Sequence, residues 1–414
     1  MVLAIQGALG LSSTCQRGHT PVHTTGLFSK TAPGHSFRIY ASGKVAVIRS
    51  ATAWSHKNKR WYRSEKAHVR MKATSAVADT TAGTWEATTG EALLQGKRED
   101  MEDYTCVKRY EDYVYGGVFD GHGGGSAAKY LSENLADRLA DRIKKGGTTK
   151  SLEATLSELF EDFDEELMDY LEDKGGKEWQ CGSTATVALV FQDKALVANV
   201  GDSRAVLGKK NGKAVDLSSE HRPYGKNEVS LREMSRIADA GGWVDDGRVL
   251  GILAVSRAFG DLEFKRGLAQ LLVDGVIEKM WTKAFAKSVD FKANPVVATP
   301  DVEMVTLGED DDFMIVASDG LWEVTTSAQA VTFVKRALAK EGMSEKSLQK
   351  VTKDLVEDAV KRRRSSDNVS CVIFALPGSV VSSSAAAPSG NTAASKPKAA
   401  PKSNNPFASL FKKR

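Results

Sequence analysis

The chain has 414 residues, of which 41% are hydrophobic and 27% charged, as in an ordinary globular protein. No apolar run reaches the roughly 18 residues that a membrane-spanning helix needs, and the four cysteines are isolated, which excludes a secreted disulfide framework. All 53 acidic residues lie between Glu65 and Asp367, so the central part carries a net charge of −11 while both ends are basic. An acidic centre argues against nucleic-acid binding and suits a site that needs cations before it accepts an anion.

Residues 1–64 contain nine Lys or Arg, 14 Ser or Thr and no acid. This composition is typical of an organellar targeting segment, so we expect a disordered chloroplast transit peptide over 1–64, followed by a linker over 65–87. Hydroxyl residues outnumber arginines and no basic amphipathic helix is evident, which favours the chloroplast over the mitochondrion. An untargeted basic arm is the remaining alternative.

Carboxylates stand at one end of four separate apolar runs. They are Glu102 and Asp103 before 104–107, Asp120 after 113–119, Asp319 after 313–317, and Asp367 before 369–376. Carboxylates that meet in space repel one another unless cations separate them, and oxygen-only ligand sets suit magnesium and manganese. The pattern therefore predicts a site for two metal ions. The alternatives are acids scattered over the surface and, for the run D-G-H-G after Phe119, a solvated turn.

Apolar periodicity predicts both helices and strands between residues 88 and 376. Helical spacing covers 127–144, 152–171, 228–240 and 327–363, with a further helical excursion over Leu262–Pro295. Residues 182–218 offer at least three strands joined by short turns, and the run GILAVSRAFGD at 251–261 returns to strand. Strands joined by short turns are antiparallel, so the pattern indicates a layered α+β fold in which helices cover antiparallel sheets.

Residues 377–414 are rich in Ser, Ala, Pro, Lys and Asn, contain no acid, and cannot build a core. We expect a disordered basic tail. Its last residues place Phe407, Leu410 and Phe411 beside three basic groups, which is a weak indication of contact with a membrane surface or a partner.

Seven short motifs in order make the chain resemble the metal-dependent serine/threonine protein phosphatases of type 2C. They are REDMED at 98–103, VFDGHGG at 118–124, CGSTA at 181–185, VGDSR at 200–204, LAVSRAFGD at 253–261, ASDGLW at 317–322 and SDNVS at 366–370. The resemblance covers about 88–376 and implies a catalytic domain with an αββα sandwich of two central antiparallel sheets flanked by helices.

The resemblance also implies the ligands of two Mn²⁺ or Mg²⁺ ions. Asp120 would bridge both ions, the Gly121 carbonyl would bind one, and Asp319 and Asp367 would hold the other. Glu102 and Asp103 would order water around the ions or bind them directly. The resemblance gives weaker support for a third ion, because two positions where the family usually has Asp are Trp179 and Glu323 here, although Glu178, next to Trp179, could supply a ligand.

Two further catalytic roles follow from the resemblance. Arg98 would clamp the substrate phosphate as a bidentate donor. His122 would protonate the departing serine or threonine oxygen as a general acid. His221 is expected to be structural.

The segment Leu262–Pro295 is longer than in most members of the family. In length and amino-acid sequence it is similar to the corresponding segment of plant thylakoid-associated phosphatases that act on light-harvesting antenna proteins. We therefore expect an antenna phosphatase in the stroma or at the stromal face of the thylakoid, acting as a monomer. The inserted segment would either read the phosphoprotein through Lys265, Arg266 or Trp281, or only cap the edge of the sheet. The alternatives are another stromal phosphoprotein substrate and a catalytically silent module that keeps the fold and senses a ligand.

Overall fold

The computed structural model describes residues 88–145 and 152–376, together with four short strands between residues 38 and 63. The chain separates into two compact units, Met1–Thr81 and Ala82–Arg414. In the first unit, β1 (Arg38–Ala41) pairs with β2 (Lys44–Val47) and β3 (Thr52–Ser55) pairs with β4 (Arg60–Arg63), both antiparallel. These strands fall inside the segment for which we expected disorder. The rest of that segment, the predicted linker and the basic tail lie outside the described residues.

The second unit alternates strands and helices. In chain order its elements are β5 (Thr89–Leu94), β6 (Tyr104–Arg109), β7 (Val114–Phe119), β8 (Gly121–His122), α1 (Ser126–Lys145), α2 (Leu152–Lys174), β9 (Gly182–Ser183), β10 (Ala185–Val190), β11 (Lys194–Val200), β12 (Arg204–Lys209), β13 (Ala214–Asp216), α3 (Glu228–Asp239), β14 (Val244–Asp245), β15 (Arg248–Val249), β16 (Phe259–Gly260), α4 (Leu262–Lys265), α5 (Leu268–Ile277), α6 (Lys283–Ser288), β17 (Asp301–Thr306), β18 (Asp311–Ala317), α7 (Asp319–Trp322), α8 (Ser327–Glu341), α9 (Glu345–Glu357) and β19 (Val369–Ala375). Within the described residues, no helix is both long and apolar enough to cross a membrane.

One five-stranded sheet has the order β17-β11-β10-β7-β6, and all its neighbours are antiparallel. Successive side chains of a strand point to opposite faces, and β10 shows both faces buried. Val187 and Leu189 pack into the core that α1 and α2 cover, whereas Ala188 and Val190 pack into the core between the sheets. This sheet is therefore an inner layer.

The other five-stranded sheet has the order β13-β12-β18-β19-β5 and is antiparallel throughout. On β18, Phe313 and Ile315 pack with α8 and α9, whereas Met314 and Val316 face the first sheet. The layers therefore run helix, sheet, sheet, helix, and the predicted α+β sandwich with two central antiparallel sheets is confirmed.

The predicted helices are present, but one of them is divided. Helical spacing over 327–363 becomes α8 and α9, because Gly342 adopts a positive φ of 79° and ends α8. Ser344 then begins the next helix, since its hydroxyl accepts a hydrogen bond from the Ser347 amide at 3.2 Å. The excursion over Leu262–Pro295 is also divided, into the three short helices α4, α5 and α6.

The prediction that residues 251–261 form a strand is wrong except for β16. Hydrogen bonds from side chains, instead of strand pairing, hold much of this segment in place. Arg257 donates to both Glu233 carboxylate oxygens, at 2.6 and 3.1 Å, and to Asp301 at 3.0 Å. Glu233 is fully buried, and although burial opposes its charge, the Arg257 guanidinium lowers the pKa of Glu233 to about 2. A buried ion pair therefore fixes this largely apolar segment as a loop.

Candidate active site

The structure brings Asp120 and Asp319 together, as expected, and adds Asp202 to them. One carboxylate oxygen from each of the three residues lies within 4.8 Å of the other two. Asp120 directly follows β7 of the first sheet, and Asp319 begins α7 just after β18 of the second sheet. The site therefore forms where strand ends of both sheets meet, which is why residues 199 positions apart share it.

Burial and mutual repulsion make these acids hard to ionise without cations. Burial, with the charge of Asp202 adding to it, raises the pKa of Asp319 to about 8. Burial and the neighbouring charges of Asp103 and Asp319 raise the pKa of Asp120 well above its ordinary value. Burial likewise raises the pKa of Asp103 to about 6, although a hydrogen bond from Ser370 opposes the shift. An all-oxygen, acidic set of this kind fits divalent cations such as Mg²⁺ and Mn²⁺.

The remaining predicted ligands lie on the segment 98–103 and next to β19. Asp103 accepts a hydrogen bond from the Ser370 hydroxyl at 2.8 Å, and Asp367 accepts one from Arg98 Nη2 at 2.7 Å. The Asn368 side chain accepts from the Glu102 amide at 2.8 Å and donates to the Asp100 carbonyl at 3.1 Å. Asn368 therefore fastens the REDMED segment to the start of β19.

Gly121 must be glycine because the Glu102 backbone passes directly beside it. A Cβ atom at Gly121 would lie 2.4 Å from the Glu102 carbonyl oxygen, closer than real contacts allow. The absence of a side chain thus lets the segment carrying Glu102 and Asp103 approach β8. This close approach, rather than flexibility, explains the glycine immediately after Asp120.

His122 contacts a second carboxylate across a small three-stranded sheet of order β16-β9-β8. Its Nε2 lies 2.9 and 3.0 Å from the two carboxylate oxygens of Asp261, which is buried. Burial opposes the charged form of His122, but the adjacent Asp261 carboxylate outweighs it and raises the pKa of His122. The histidine is therefore held in a state that can carry a proton.

Four residues at the site were missed as site residues. Three of them, Asp202, Asp261 and Asn368, stand inside the ordered motifs. Their position in these motifs was the sequence signal that could have identified them as site residues. The fourth, Arg222, lies outside the motifs. Its guanidinium lies 3.0 Å from both Asp202 and Asp319 and thus offsets part of their negative charge.

His221 is structural, as expected. Its side chain is fully buried, its Nδ1 accepts a hydrogen bond from the Gly201 amide at 3.1 Å, and its Nε2 lies 3.3 Å from an Asp301 oxygen. Burial lowers the pKa of His221, so it is neutral at ordinary pH. It ties the turn before β12 to β17.

Lys265, Arg266 and Trp281, which we expected to read the substrate, make polar contacts inside the fold. Lys265 is buried, and its ammonium donates to Asp164 at 2.6 Å and to the Ala258 carbonyl at 2.9 Å. Arg266 is bonded to three carboxylates of α2, and the Trp281 indole donates to the Leu272 carbonyl at 2.9 Å. Their polar groups are engaged within the fold, so they anchor the inserted helices instead of facing a substrate.

Replacing Lys265 with alanine should therefore destabilise the protein without changing substrate recognition. The loss leaves the Asp164 carboxylate buried and unpaired, which costs about 3–5 kcal/mol. Urea unfolding should show this loss, while the KM for a phosphopeptide stays within twofold of wild type. Lys292→Ala, at an exposed position of the same segment, is the matched control. A raised KM with unchanged unfolding would restore Lys265 as a substrate contact.

The two positions that depart from the family pattern lie near the site. Trp179 packs against the core under α1 and α2. Glu323 ends α7, and its charge contributes to the raised pKa of Asp319. Neighbouring Glu178 accepts a weak hydrogen bond from Cys181 Sγ at 3.7 Å. Asp202 is thus the additional carboxylate beside Asp120 and Asp319.

Comparison with known proteins agrees with this architecture and site. The family model described as Protein phosphatase 2C matches residues 87–369. The chain is 37% identical over 315 residues to "Protein phosphatase 2C 57" of Arabidopsis thaliana, covering 74% of this chain and 79% of that protein. It is 35% identical over 291 residues to "Probable protein phosphatase 2C 59" of Oryza sativa subsp. japonica, covering 69% and 74%.

Solved structures show the same fold. The structure described as a C. elegans sex determining protein superimposes with a TM-score of 0.56 at 26% identity, covering 72% of this chain and 67% of that one. A phosphatase from Toxoplasma gondii superimposes with a TM-score of 0.56 at 22% identity, covering 71% and 94%. With the matched motifs and the carboxylate site, these findings show that the chain belongs to the protein phosphatase 2C family, the metal-dependent serine/threonine phosphatases.

Proposed function

We propose that this phosphatase removes phosphate from phosphothreonine segments of light-harvesting antenna proteins, at the stromal face of the chloroplast thylakoid and as a monomer. The observation that carries the substrate assignment is the long segment Leu262–Pro295, whose amino-acid sequence resembles that of thylakoid-associated phosphatases. The acid-free leader composition supports the chloroplast location. Another stromal phosphoprotein is the alternative substrate.

The carboxylate site supports two Mn²⁺ or Mg²⁺ ions. Asp120 would contact both ions, with the Gly121 carbonyl beside it, while Asp319 and Asp367 complete the set and Glu102 and Asp103 support it. When bound, such ions would lower the pKa of a water near them and neutralise the oxygens of the phosphoryl group, whose phosphorus atom this water attacks. The raised pKa values of Asp120 and Asp319 support this assignment, because divalent cations would offset the repulsion between their buried charges.

Arg98 and His122 supply the remaining functions around the phosphate. One terminal nitrogen of Arg98 donates a hydrogen bond to Asp367, and the Arg98 side chain is 54% exposed. The other donors of its guanidinium are therefore accessible to a phosphate. His122, on the strand that follows Asp120, is placed to protonate the leaving serine or threonine oxygen. Both residues thus bind or protonate the substrate next to the carboxylates.

The inserted helices supply an exposed face that supports recognition of a protein substrate. Val273, Ile277, Met280 and Phe285 are between 40% and 71% exposed, although large apolar side chains usually pack inside. The exposed Lys279 of the same segment lies next to Met280. A mixed apolar and basic face suits an acidic, phosphorylated protein segment.

Substituting this face tests the substrate assignment. In the double variant Val273→Ser, Ile277→Ser, kcat/KM on an antenna phosphopeptide should fall about tenfold, since an apolar contact of roughly 1.4 kcal/mol is lost. Hydrolysis of p-nitrophenyl phosphate should be unchanged, because none of the assigned catalytic residues is altered. Leu231→Ser, at a 54% exposed position on α3, is the matched control.

Two results would contradict the proposal. An unchanged kcat/KM on the antenna peptide would remove the inserted face from recognition. The purified enzyme could also fail to dephosphorylate isolated phosphorylated thylakoids while it dephosphorylates another stromal phosphoprotein. That second protein would then replace the antenna proteins as the assigned substrate.

A further inference from the structure

Asp261 occupies a backbone conformation that residues other than glycine seldom adopt, although aspartate tolerates it better than most. Its φ and ψ are 54° and 52°, in the left-handed region. It immediately precedes α4, where an aspartate usually caps the helix, yet its side chain makes no capping hydrogen bond. Strained residues that forgo their local role are a reason to look for a functional one.

The backbone around Asp261 is fixed on both sides. Its amide donates to the Cys181 carbonyl at 2.9 Å, and its carbonyl accepts from the Phe264 amide at 2.9 Å. Asp261 is 1% exposed. The carboxylate therefore has little freedom to turn away from the histidine that it contacts.

Gly182 opens the gap through which the two side chains meet. It pairs with His122 on one side and with Gly260 on the other, in the small sheet β16-β9-β8. A Cβ atom at this position would lie 2.3 Å from His122 Nε2 and 2.4 Å from Asp261 Oδ2. Any side chain here would separate the imidazole from the carboxylate, so the glycine is part of the arrangement.

The contact with Asp261 occupies Nε2 of the His122 imidazole and leaves Nδ1 without a hydrogen bond to the described residues. Both Asp261 oxygens lie within 3.0 Å of Nε2, and within the described part of the chain that carboxylate bonds no other side chain. The His122 side chain is 28% exposed, and no described residue bonds its Nδ1. We propose that Asp261 is a positioning residue that holds His122 by Nε2, so that Nδ1 is the nitrogen that gives its proton to the departing serine or threonine oxygen.

This inference rests on the proposed function, in which His122 is the general acid. As the bond between phosphorus and the substrate oxygen breaks, the Nδ1–H proton passes to that oxygen and yields the free hydroxyl. The bond electrons go to the oxygen, and His122 becomes a neutral imidazole whose Nε2–H still donates to Asp261. Solvent then returns a proton to Nδ1. A free imidazole would present either nitrogen, so the carboxylate fixes which one faces the leaving group.

The kinetic test compares leaving groups. Asp261→Ala should lower kcat on a phosphothreonine peptide by on the order of 10²-fold, as loss of an oriented general acid does, but lower it less than tenfold on p-nitrophenyl phosphate, which needs little protonation. Asp261→Asn should recover part of the loss, because its amide oxygen can still accept from Nε2. The double variant with His122→Ala should be no slower than His122→Ala alone. Asp245→Ala, at an exposed position, is the control.

Equal losses on both substrates, an asparagine variant no better than alanine, or additive losses in the double variant would overturn the proposal. Melting temperatures of all variants identify any that fail to fold.

A spectroscopic test is independent of turnover. In the metal-free, full-length protein labelled with ¹⁵N, the His122 ring resonances can be assigned by comparison with His122→Gln. At a pH where the imidazole is neutral, we expect the Nε2–H tautomer in the wild type and a mixture of tautomers in Asp261→Ala. A wild type with only Nδ1–H would refute the arrangement. If His122→Ala shows no dependence on the leaving group, the general-acid role fails, and the tautomer alone decides whether Asp261 orients the ring.

Discussion

Replacing Asp120, Asp319 or Asp367 with asparagine should lower kcat for a phosphothreonine peptide by on the order of 10³-fold or more, since loss of metal stabilisation costs several kcal/mol of the barrier. Each substitution removes a negative charge from the site while keeping the shape of the side chain. Asp120 and Asp319 lie in one cluster with Asp202, and Asp367 is held by Arg98.

The measurement pairs turnover with titration of Mn²⁺ by calorimetry. The wild type should bind two ions at the site, and each variant should bind fewer or bind them far more weakly. Asp193→Asn, whose side chain is 72% exposed on the turn after β10, is the matched control and should keep both properties. Near-normal turnover at saturating Mn²⁺ in any of the three variants would remove that residue from the ligand set.

The metal-free protein should become less stable as pH rises, and Asp319→Asn should abolish much of that loss. The pKa of Asp319 is raised to about 8 in the fold, mainly by burial, against an ordinary value near 4. Below pH of about 4 the residue is protonated in both the folded and the unfolded states, so it does not disfavour folding. As pH rises towards 8 the unfolded state ionises first, and the free energy of unfolding falls by on the order of 5 kcal/mol.

Urea unfolding in chelator between pH 5 and 8 checks this prediction. Asparagine cannot ionise, so the variant should unfold at higher urea than the wild type at pH 8, and the difference should shrink to roughly 1.4 kcal/mol at pH 5. Excess Mn²⁺ should offset most of the difference at pH 8, because each of two ions at 100 times its Kd adds about 2.7 kcal/mol to the wild type. Parallel pH profiles for both proteins in chelator would show that Asp319 is not the buried acid that titrates.

Local pattern was sufficient for the layers and for most of the acids. Alternating apolar residues such as Val187 and Leu189 predict a strand, and carboxylates at strand ends predict where a sheet can gather them. Asp120 and Asp367 followed from that rule, since each stands directly beside a buried strand. The helices α1, α2 and α3 followed from spacing near 3.6 residues.

The strand prediction from the apolar pattern failed where side-chain contacts, and not strand pairing, hold the backbone. Residues 251–261 carry a strand-like pattern, but the buried pair of Arg257 and Glu233 fixes them as a loop. A lysine beside a site motif was likewise misassigned, because Lys265 pairs with Asp164, 101 residues earlier. Nothing in the neighbourhood of Lys265 in the sequence distinguishes a buried ammonium from an exposed one.

The sequence by itself determined the family, the two sheets and the acids that end their strands, because periodicity and motif order are written in consecutive residues. Only the tertiary structure decided that Asp202 joins the acids, that Asp261 holds His122, and that Lys265 is an anchor. Those assignments depend on which side chains from distant segments come within 4.8 Å of each other, and on how far burial excludes the water that would otherwise screen their charges. Proximity and burial are properties of the packed chain, so they appear only when the sheets have closed.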